Sequence, residues 1–479
     1  MHQIASPTAL YVGGEWVSSA GDEHYDVISP ATGQVVAQVP LPSEADADRA
    51  IAAAREAFDT GPWPRLPMAE RAEYARRFRD AFIARSDEFT QAWLRESGPT
   101  ITHAAMLHGF VPPLFDNAIE RALELEVRER RELPDGPVEV VHEPVGVTLL
   151  ITAWNGPALY LAMKVLPALL AGCTVIIKPA VESQLTAQLT AQIAEAAGLP
   201  RGVVSVLAAP TEVSQYLAAH PQVDKVSLTG SVPAGRAVMA ACAPKIGKLT
   251  LELGGKSAAI LADDVDLERA LDTFVPGFVA GCGQVCVALT RLVVPRERQG
   301  EIVEQLQARL RELQIGDPEL ADTDLGPLGT ARQRERVEEY VASGIEEGAR
   351  LVLGGRRPEI SGDGFYFEPT VFADVTPDMR IAREEIFGPV LCVMPYDDLE
   401  EAIEIANATE YGLAASVYAA DETTAREVAE RLQAGTVAVN SAGISFFAPF
   451  GGTKQSGFGR ELGAEGIQEF QQIKSIKLG

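Results

Sequence analysis

The stretch VGVTLLITAWNGP, residues 145–157, decides the fold. Its first part, 145–152, is an apolar run too short for a helix, and an Asn-Gly-Pro turn follows. A short apolar run bounded by turn residues reads as a strand buried on both faces. The pattern then repeats downstream. A helical segment from about 157 to 171 precedes CTVIIKP (173–179), and a helix at 184–197 precedes GVVSVL (202–207). A helix at 211–219, KVSLTG (225–230), a helix near 233–243 and KLTLELGG (248–255) complete the run. Strands alternating with helices predict an α/β fold, a parallel sheet wound by helices. Ligands in such sheets sit at the C-terminal ends of the strands. The span from Val145 to Ile177 holds a single charge, Lys164, and has the length of a membrane helix. Asn155, Gly156, Pro157 and Pro167 interrupt it, so no membrane partner is expected.

Outside this run the chain divides further. GGEWV (13–17) and ISPATGQVVAQVP (28–40) carry strand and turn residues, and 44–59 and 68–95 read as amphipathic helices. Residues 121–132 are dense in charge and 137–142 alternate, which suggests a solvated excursion or extended hairpin. A second α/β stretch spans about 257–440, with helices near 266–280, 298–313, 331–347 and 421–433 and strands near 289–294, 390–396 and 436–440. The tail EFQQIKSIKLG ends in an alternating strand suited to pairing with another chain. A length of 479 residues suggests about three domains. The net charge of −26 argues against nucleic-acid partners. The N-terminus lacks a basic region followed by an apolar run, so no secretory signal is expected. Five scattered cysteines form no disulfide framework and suit a cytoplasmic protein. The six histidines fit no metal spacing, and no metal site is expected.

Several strand ends carry chemistry. SLTGSVPAGR (227–236) runs into a helix with Gly230, Ser231 and Gly235 at the turn, a ready anion site. It also fits an ordinary Gly-rich turn, since it is neither GxGxxG nor a P-loop. Lys178 in IIKPA (176–180) can reach a ribose or phosphate, or can be a solvated strand end. Glu252 in TLELGGKS (250–257) is a carboxylate in an apolar strand. Burial raises such a group toward a general base, though turn N–H groups can equally satisfy it. Trp154 and Asn155 end another strand, where an amide can serve an oxyanion or simply shape a turn. GCGQVC (281–286) places Cys282 and Cys286 in a glycine-loosened loop, where a thiol can be a nucleophile. Together, nucleophile, base, oxyanion donor and dinucleotide turn describe oxidative acyl chemistry on an aldehyde.

In the order and spacing of GGEWV, SPATG, AWN, KPA, LTGS, ELGGKS, GQVC, EEIFGPVL (384–391) and PFGGTKQSGFGRELG (449–463), the chain resembles NAD(P)-dependent aldehyde dehydrogenases over essentially its whole length. The resemblance implies Cys286 as nucleophile, Asn155 and the Cys286 N–H as oxyanion donors, and Glu252 as the base that activates water. It places Lys178 at the adenosine ribose, Gly230, Ser231 and Gly235 by the pyrophosphate, Trp154 and Leu253 along the cofactor, and Glu385 and Phe387 at the nicotinamide ribose and ring. It implies a Rossmann-like cofactor domain (1–121 and 144–254), a catalytic α/β domain (255–454) and a small β arm (122–143 and 455–479) that joins subunits into a homodimer or homotetramer.

Three positions depart from the family. Many NAD-preferring members read Lys-Pro-Ala-Glu, with the Glu on the ribose hydroxyls. Here Val181 stands in that place and Glu182 follows, so NADP is expected to be tolerated beside NAD. Gly281 replaces a frequent Asn. Gly156 and Ala280 replace frequent aromatics. With Tyr160, Met163, Val285, Ile444, Phe446 and Phe447 nearby, the pocket is expected to be apolar and roomy, suited to an aromatic or terpenoid-like aldehyde. Cys282 is expected to pack at the pocket mouth, with a reversible disulfide to Cys286 as an open question. A CoA-acylating enzyme is the main alternative, disfavoured by Glu252. A thiol hydrolase would need a His partner, and no His stands near any motif. A noncatalytic protein on the same fold is disfavoured by the intact Cys286, Glu252 and Asn155.

Overall fold

A computed structural model describes residues 8–478. Residues 1–7, on which part of the reading of the N-terminus falls, lie outside the described residues. The segment 147–151 is a strand with every residue buried, as its unbroken apolar character dictates. It is the fourth strand from one edge of an eight-stranded sheet. Five parallel strands form the middle, in the order Lys248–Glu252, Lys225–Thr229, Val147–Ile151, Thr174–Lys178 and Val204–Val206. Antiparallel strands close both sides. Gly457–Phe458 pairs with Lys248–Glu252, while Leu10–Val12 pairs with Val204–Val206 and carries Glu15–Val17 outside it. Helices cover both faces. Glu44–Asp59 packs its alanines on one face, in a core shared with Val147, Leu149 and Val226. Met68–Ile83, Gln184–Ala196 and the segment 157–171 cover the other.

The segment 157–171 is not one regular helix. Pro157–Tyr160 is α-helical, Leu161–Val165 is a π turn, and Leu166–Ala171 returns to α. Single π turns inside helices often mark functional sites. The second sheet has seven strands, ordered Arg350–Leu353, Thr370–Ala373, Val390–Tyr396, Leu289–Pro295, Ser257–Leu261, Ala414–Tyr418 and Thr436–Val439. Its pairs are parallel except at the Arg350–Leu353 edge.

The charged segment differs in part from expectation. Its first residues finish a long helix, Ile101–Glu124, which contains Pro112 and Pro113. Only then do Arg128–Leu133 and Gly136–Pro144 form the hairpin. The C-terminal strand Gln471–Lys477 pairs antiparallel with Gly136–Pro144 of its own chain, making a three-stranded sheet. Among the described residues, no helix is long and apolar enough to cross a membrane, and no group of three or more His, Cys, Asp or Glu is placed to hold a metal.

Candidate active site

The C-terminal ends of the central strands lie side by side. Ile151 is opposite Lys178 and Leu228, and Thr229 is opposite Glu252. The residues just beyond these ends therefore share one edge. There, Ser231 caps the helix Val232–Cys242, its hydroxyl accepting from the Ala234 N–H at 3.4 Å. The Gly230 N–H bonds the Glu252 carbonyl at 3.0 Å. Gly235 lets Leu253 approach, since a Cβ there would meet the Leu253 methyl at 2.6 Å. The Lys178 ammonium makes no hydrogen bond or ion pair among the described residues. Burial lowers its pKa to about 8, and Glu182 acts in the opposite direction. A buried cation without an ion pair, on the same sheet edge as a capped helix N-terminus, fits a dinucleotide. Glu182 thus keeps a carboxylate near Lys178 even though Val181 has none.

The Glu385–Phe387 loop lies against the double glycine. Glu385 accepts from the Gly255 N–H at 3.0 Å, and a Cβ on Gly254 would stand 2.2 Å from its other oxygen. Burial raises the Glu385 carboxyl to about 7. Gln333 donates to the Ile386 and Phe387 carbonyls at 2.9 and 2.7 Å, and Arg336 donates to the Glu385 carbonyl at 2.6 Å. These bonds hold Phe387 at a left-handed φ of 61°, its ring edge-on to Trp154 at 5.8 Å. A non-Gly residue held at positive φ is a strained position that its surroundings must impose.

The helix before the cysteines stops at Val279, because Gly281, Cys282 and Gly283 are all left-handed, with φ of 54°, 59° and 71°. The turn sends the two thiols apart. Cys282 is buried in the core of the second sheet, whereas part-buried Cys286 packs against the core of the first. Cys282 also borders a small cavity with Thr100, Gly281 and Pro327, and a disulfide to Cys286 would require it to leave the core. Burial pushes the Cys286 thiol up to about 12, with Glu252 and Glu385 adding to the effect.

Gln284, buried between these parts, ties the loop down. Its side chain donates to the Gly281 carbonyl and accepts from the Gly329 N–H, both at 2.9 Å. Its backbone carbonyl accepts from the Asn155 side-chain amide at 2.9 Å. The Tyr160 hydroxyl donates to the Asn155 amide oxygen at 2.7 Å.

Glu252 is 3% exposed, and among the described residues neither of its carboxylate oxygens has a hydrogen-bond partner. Its pKa is raised well above the ordinary carboxylate value by burial first and by Glu461 second. The positive charges of Lys164 and Arg460 pull it down. Lys164 is fully buried, pairs with Glu461 and donates to the Ser227 hydroxyl at 2.9 Å. Tyr160 and Lys164 thus leave one irregular helix one turn apart, the first toward Asn155 and the second toward the surroundings of Glu252.

The structure brings Cys286, Asn155, Glu252 and Glu385 to one place, with Tyr160, Met163, Ile444 and Phe446 in or against the core that Cys286 touches. Ala280 and Val285 flank the left-handed turn, and Gly156 opens the Pro157 helix. Sequence reasoning missed Gln284, Lys164, Glu461 and Phe110. The Phe110 ring lies 5.6 Å from that of Phe446. It also missed a histidine beside the cysteine loop. The His103 imidazole approaches Gly281, where a Cβ would meet its Nε2 at 3.4 Å. Burial lowers its pKa to about 4, and it makes no hydrogen bond to Cys286.

The aldehyde dehydrogenase family profile matches residues 16–476. A 3-succinoylsemialdehyde-pyridine dehydrogenase of Pseudomonas sp. is 42% identical over 469 residues, covering 98% of each chain. A geranial dehydrogenase of Castellaniella defragrans is 40% identical over 471 residues, again covering 98% of each. The crystal structure of a Mycobacterium tuberculosis aldehyde dehydrogenase complexed with NAD+ superposes with a TM-score of 0.97 at 43% identity, covering 99% of each chain. The chain belongs to the aldehyde dehydrogenase family. Its α/β fold, with a Rossmann-like cofactor-binding domain and a catalytic domain, is that of the family's solved structures.

Proposed function

We propose that Cys286 is the nucleophile through which this enzyme oxidises an aldehyde to its carboxylic acid with NAD+ or NADP+. The observation that carries the reading is the convergence of Asn155, Glu252 and Glu385 on Cys286 from four separate chain segments. The Cys286 sulfur adds to the aldehyde carbon as the thiolate, and the aldehyde oxygen becomes negative. The Asn155 amide and the Cys286 N–H stabilise that oxygen. Bound NAD(P)+ supplies the hydride acceptor that turns the thiohemiacetal into a thioester. Glu252, as carboxylate, takes a proton from water, and the hydroxide hydrolyses the thioester and frees the thiol. A partnerless carboxylate with a raised pKa suits that work and disfavours transfer to CoA.

Lys178 would hold the adenosine ribose, and Gly230, Ser231 and Gly235, with Trp154 and Leu253, would hold the pyrophosphate side of the cofactor. Glu385 and Phe387 would hold the nicotinamide ribose and ring, Glu385 exchanging its bond to the Gly255 N–H for the ribose hydroxyls. Residues 1–121 and 144–254 bind the cofactor, 255–454 carry the nucleophile, and 122–143 with 455–479 join subunits. Val181 brings no carboxylate to the ribose hydroxyls, so NADP+ is accepted beside NAD+, with Glu182 biasing the ratio toward NAD+.

The substrate is a bulky apolar aldehyde. Met106 (51% exposed) and Phe447 (49%) stand open to solvent near the Phe110–Phe446 pair. Gly156 and Ala280 leave space, and relatives named for geranial and for a pyridyl semialdehyde are compatible. The test is an aldehyde panel with each cofactor, following reduced-cofactor absorbance, with Cys286→Ala as control. Aromatic and terpenoid aldehydes are expected to exceed acetaldehyde in kcat/KM. Highest efficiency on acetaldehyde, or no turnover with NADP+, contradicts the corresponding assignment.

A further inference from the structure

We infer that Tyr160 is a positioning residue for the oxyanion step, through its hydroxyl, rather than only a wall of the substrate pocket. The inference rests on the role proposed for Asn155. The Gln284 backbone carbonyl can only accept a hydrogen bond, so the Asn155 amide must present its nitrogen there. The amide oxygen then faces Tyr160, whose hydroxyl must be the donor in the 2.7 Å contact. An NH2 group has two hydrogens. One is spent on Gln284, and the other is left for the substrate oxygen.

Two consequences follow from this geometry. The hydroxyl holds the amide from the side opposite Gln284, so the plane of the group is fixed at both ends. A donor on the amide oxygen also polarises the amide, which strengthens its N–H groups as donors in a low-dielectric site. Tyr160 is 6% exposed, and its hydroxyl lies in the field of Cys286, Glu461 and Glu252. It belongs with the reacting groups, not with the exposed side chains of Met106 and Phe447. The π turn that begins at Leu161 directly follows it, so the helix irregularity starts at the residue whose hydroxyl must meet Asn155.

Tyr160→Phe removes the hydroxyl and keeps the ring. The experiment measures kcat, KM and thermal midpoint for Tyr160→Phe, Asn155→Ala and the double variant on one aldehyde. Asn155→Ala is expected to lose about 10²- to 10³-fold in kcat. Tyr160→Phe is expected to lose about tenfold in kcat with KM nearly unchanged, and nothing further on the Asn155→Ala background. A raised KM with unchanged kcat makes Tyr160 a pocket wall and overturns the inference. So does a loss that multiplies with that of Asn155→Ala. If Asn155→Ala itself retains kcat, the oxyanion assignment fails. If only Tyr160→Phe does, the positioning role alone fails.

Discussion

At the residue scale, Cys286 rests in an unfavourable charge environment. Burial, Glu252 and Glu385 all disfavour the Cys286 thiolate, and its pKa stands at about 12. The sign is plain: a raised thiol pKa keeps the neutral form dominant at neutral pH, and reactivity grows as pH rises toward that value. Alkylation of the enzyme without cofactor should therefore accelerate about tenfold per pH unit between pH 7 and 10. A plateau at or below pH 8 contradicts this. Glu252→Gln should leave the first, cofactor-reducing turnover intact and slow the steady state by about 10²-fold or more, seen as a burst. A uniform loss without a burst contradicts its role as the hydrolytic base. Cys286, Glu252 and Asn155 were legible in the sequence because each sits in a distinctive local motif. Lys164 and Glu461 were not, because their meaning lies in a contact between residues 297 positions apart. Nor was His103, which reaches the cysteine loop only through folding.

At the element scale, the decisive piece is the left-handed turn at 281–283. It ends the helix, parts the two thiols and lets two loops touch. A Cβ on Gly283 would lie 2.4 Å from the Gly388 carbonyl oxygen, at a φ of 71°. Gly283→Ala must push the cysteine loop and the Glu385–Phe387 loop apart. It should cost about 2 kcal/mol or more in stability and most of the activity, read by thermal midpoint and kcat. Gly300 makes the contrast. It is exposed in the helix Gln299–Arg311, with nothing within 4 Å of an added Cβ. Gly300→Ala should stabilise by about 1 kcal/mol and leave kcat unchanged. The strands of the first sheet were readable because each is an apolar run closed by turn residues. The helix Ile101–Glu124 was not, because Pro112 and Pro113 read as breakers. Its packing overrides them, with Val111, Leu114 and Phe115 fully or nearly fully buried. Strands Ser257–Leu261 and Ala414–Tyr418 were hidden by alanine, which signals helix more than strand.

At the scale of the whole molecule, the C-terminal segment serves two sheets. Gln471–Lys477 completes the three-stranded arm, with Ile473 68% exposed. Removing residues 471–479 should uncover Val140 and Val141 and reduce the particle mass seen by light scattering. An unchanged mass contradicts the arm as the subunit contact. Slightly earlier, Gly457–Phe458 closes the edge of the first sheet, and Glu461 reaches Lys164. This return of the chain has a consequence for biosynthesis. A nascent polypeptide acquires Cys286 long before it acquires Glu461, and domains fold as they emerge from the ribosome. Any product released before residue 457 keeps Lys248–Glu252 as an uncovered sheet edge, a template for aggregation. Such fragments carry the Cys286 thiol but lack the Glu461–Lys164 pair, so prematurely terminated translation is expected to yield sticky, inactive chains rather than a half-working enzyme.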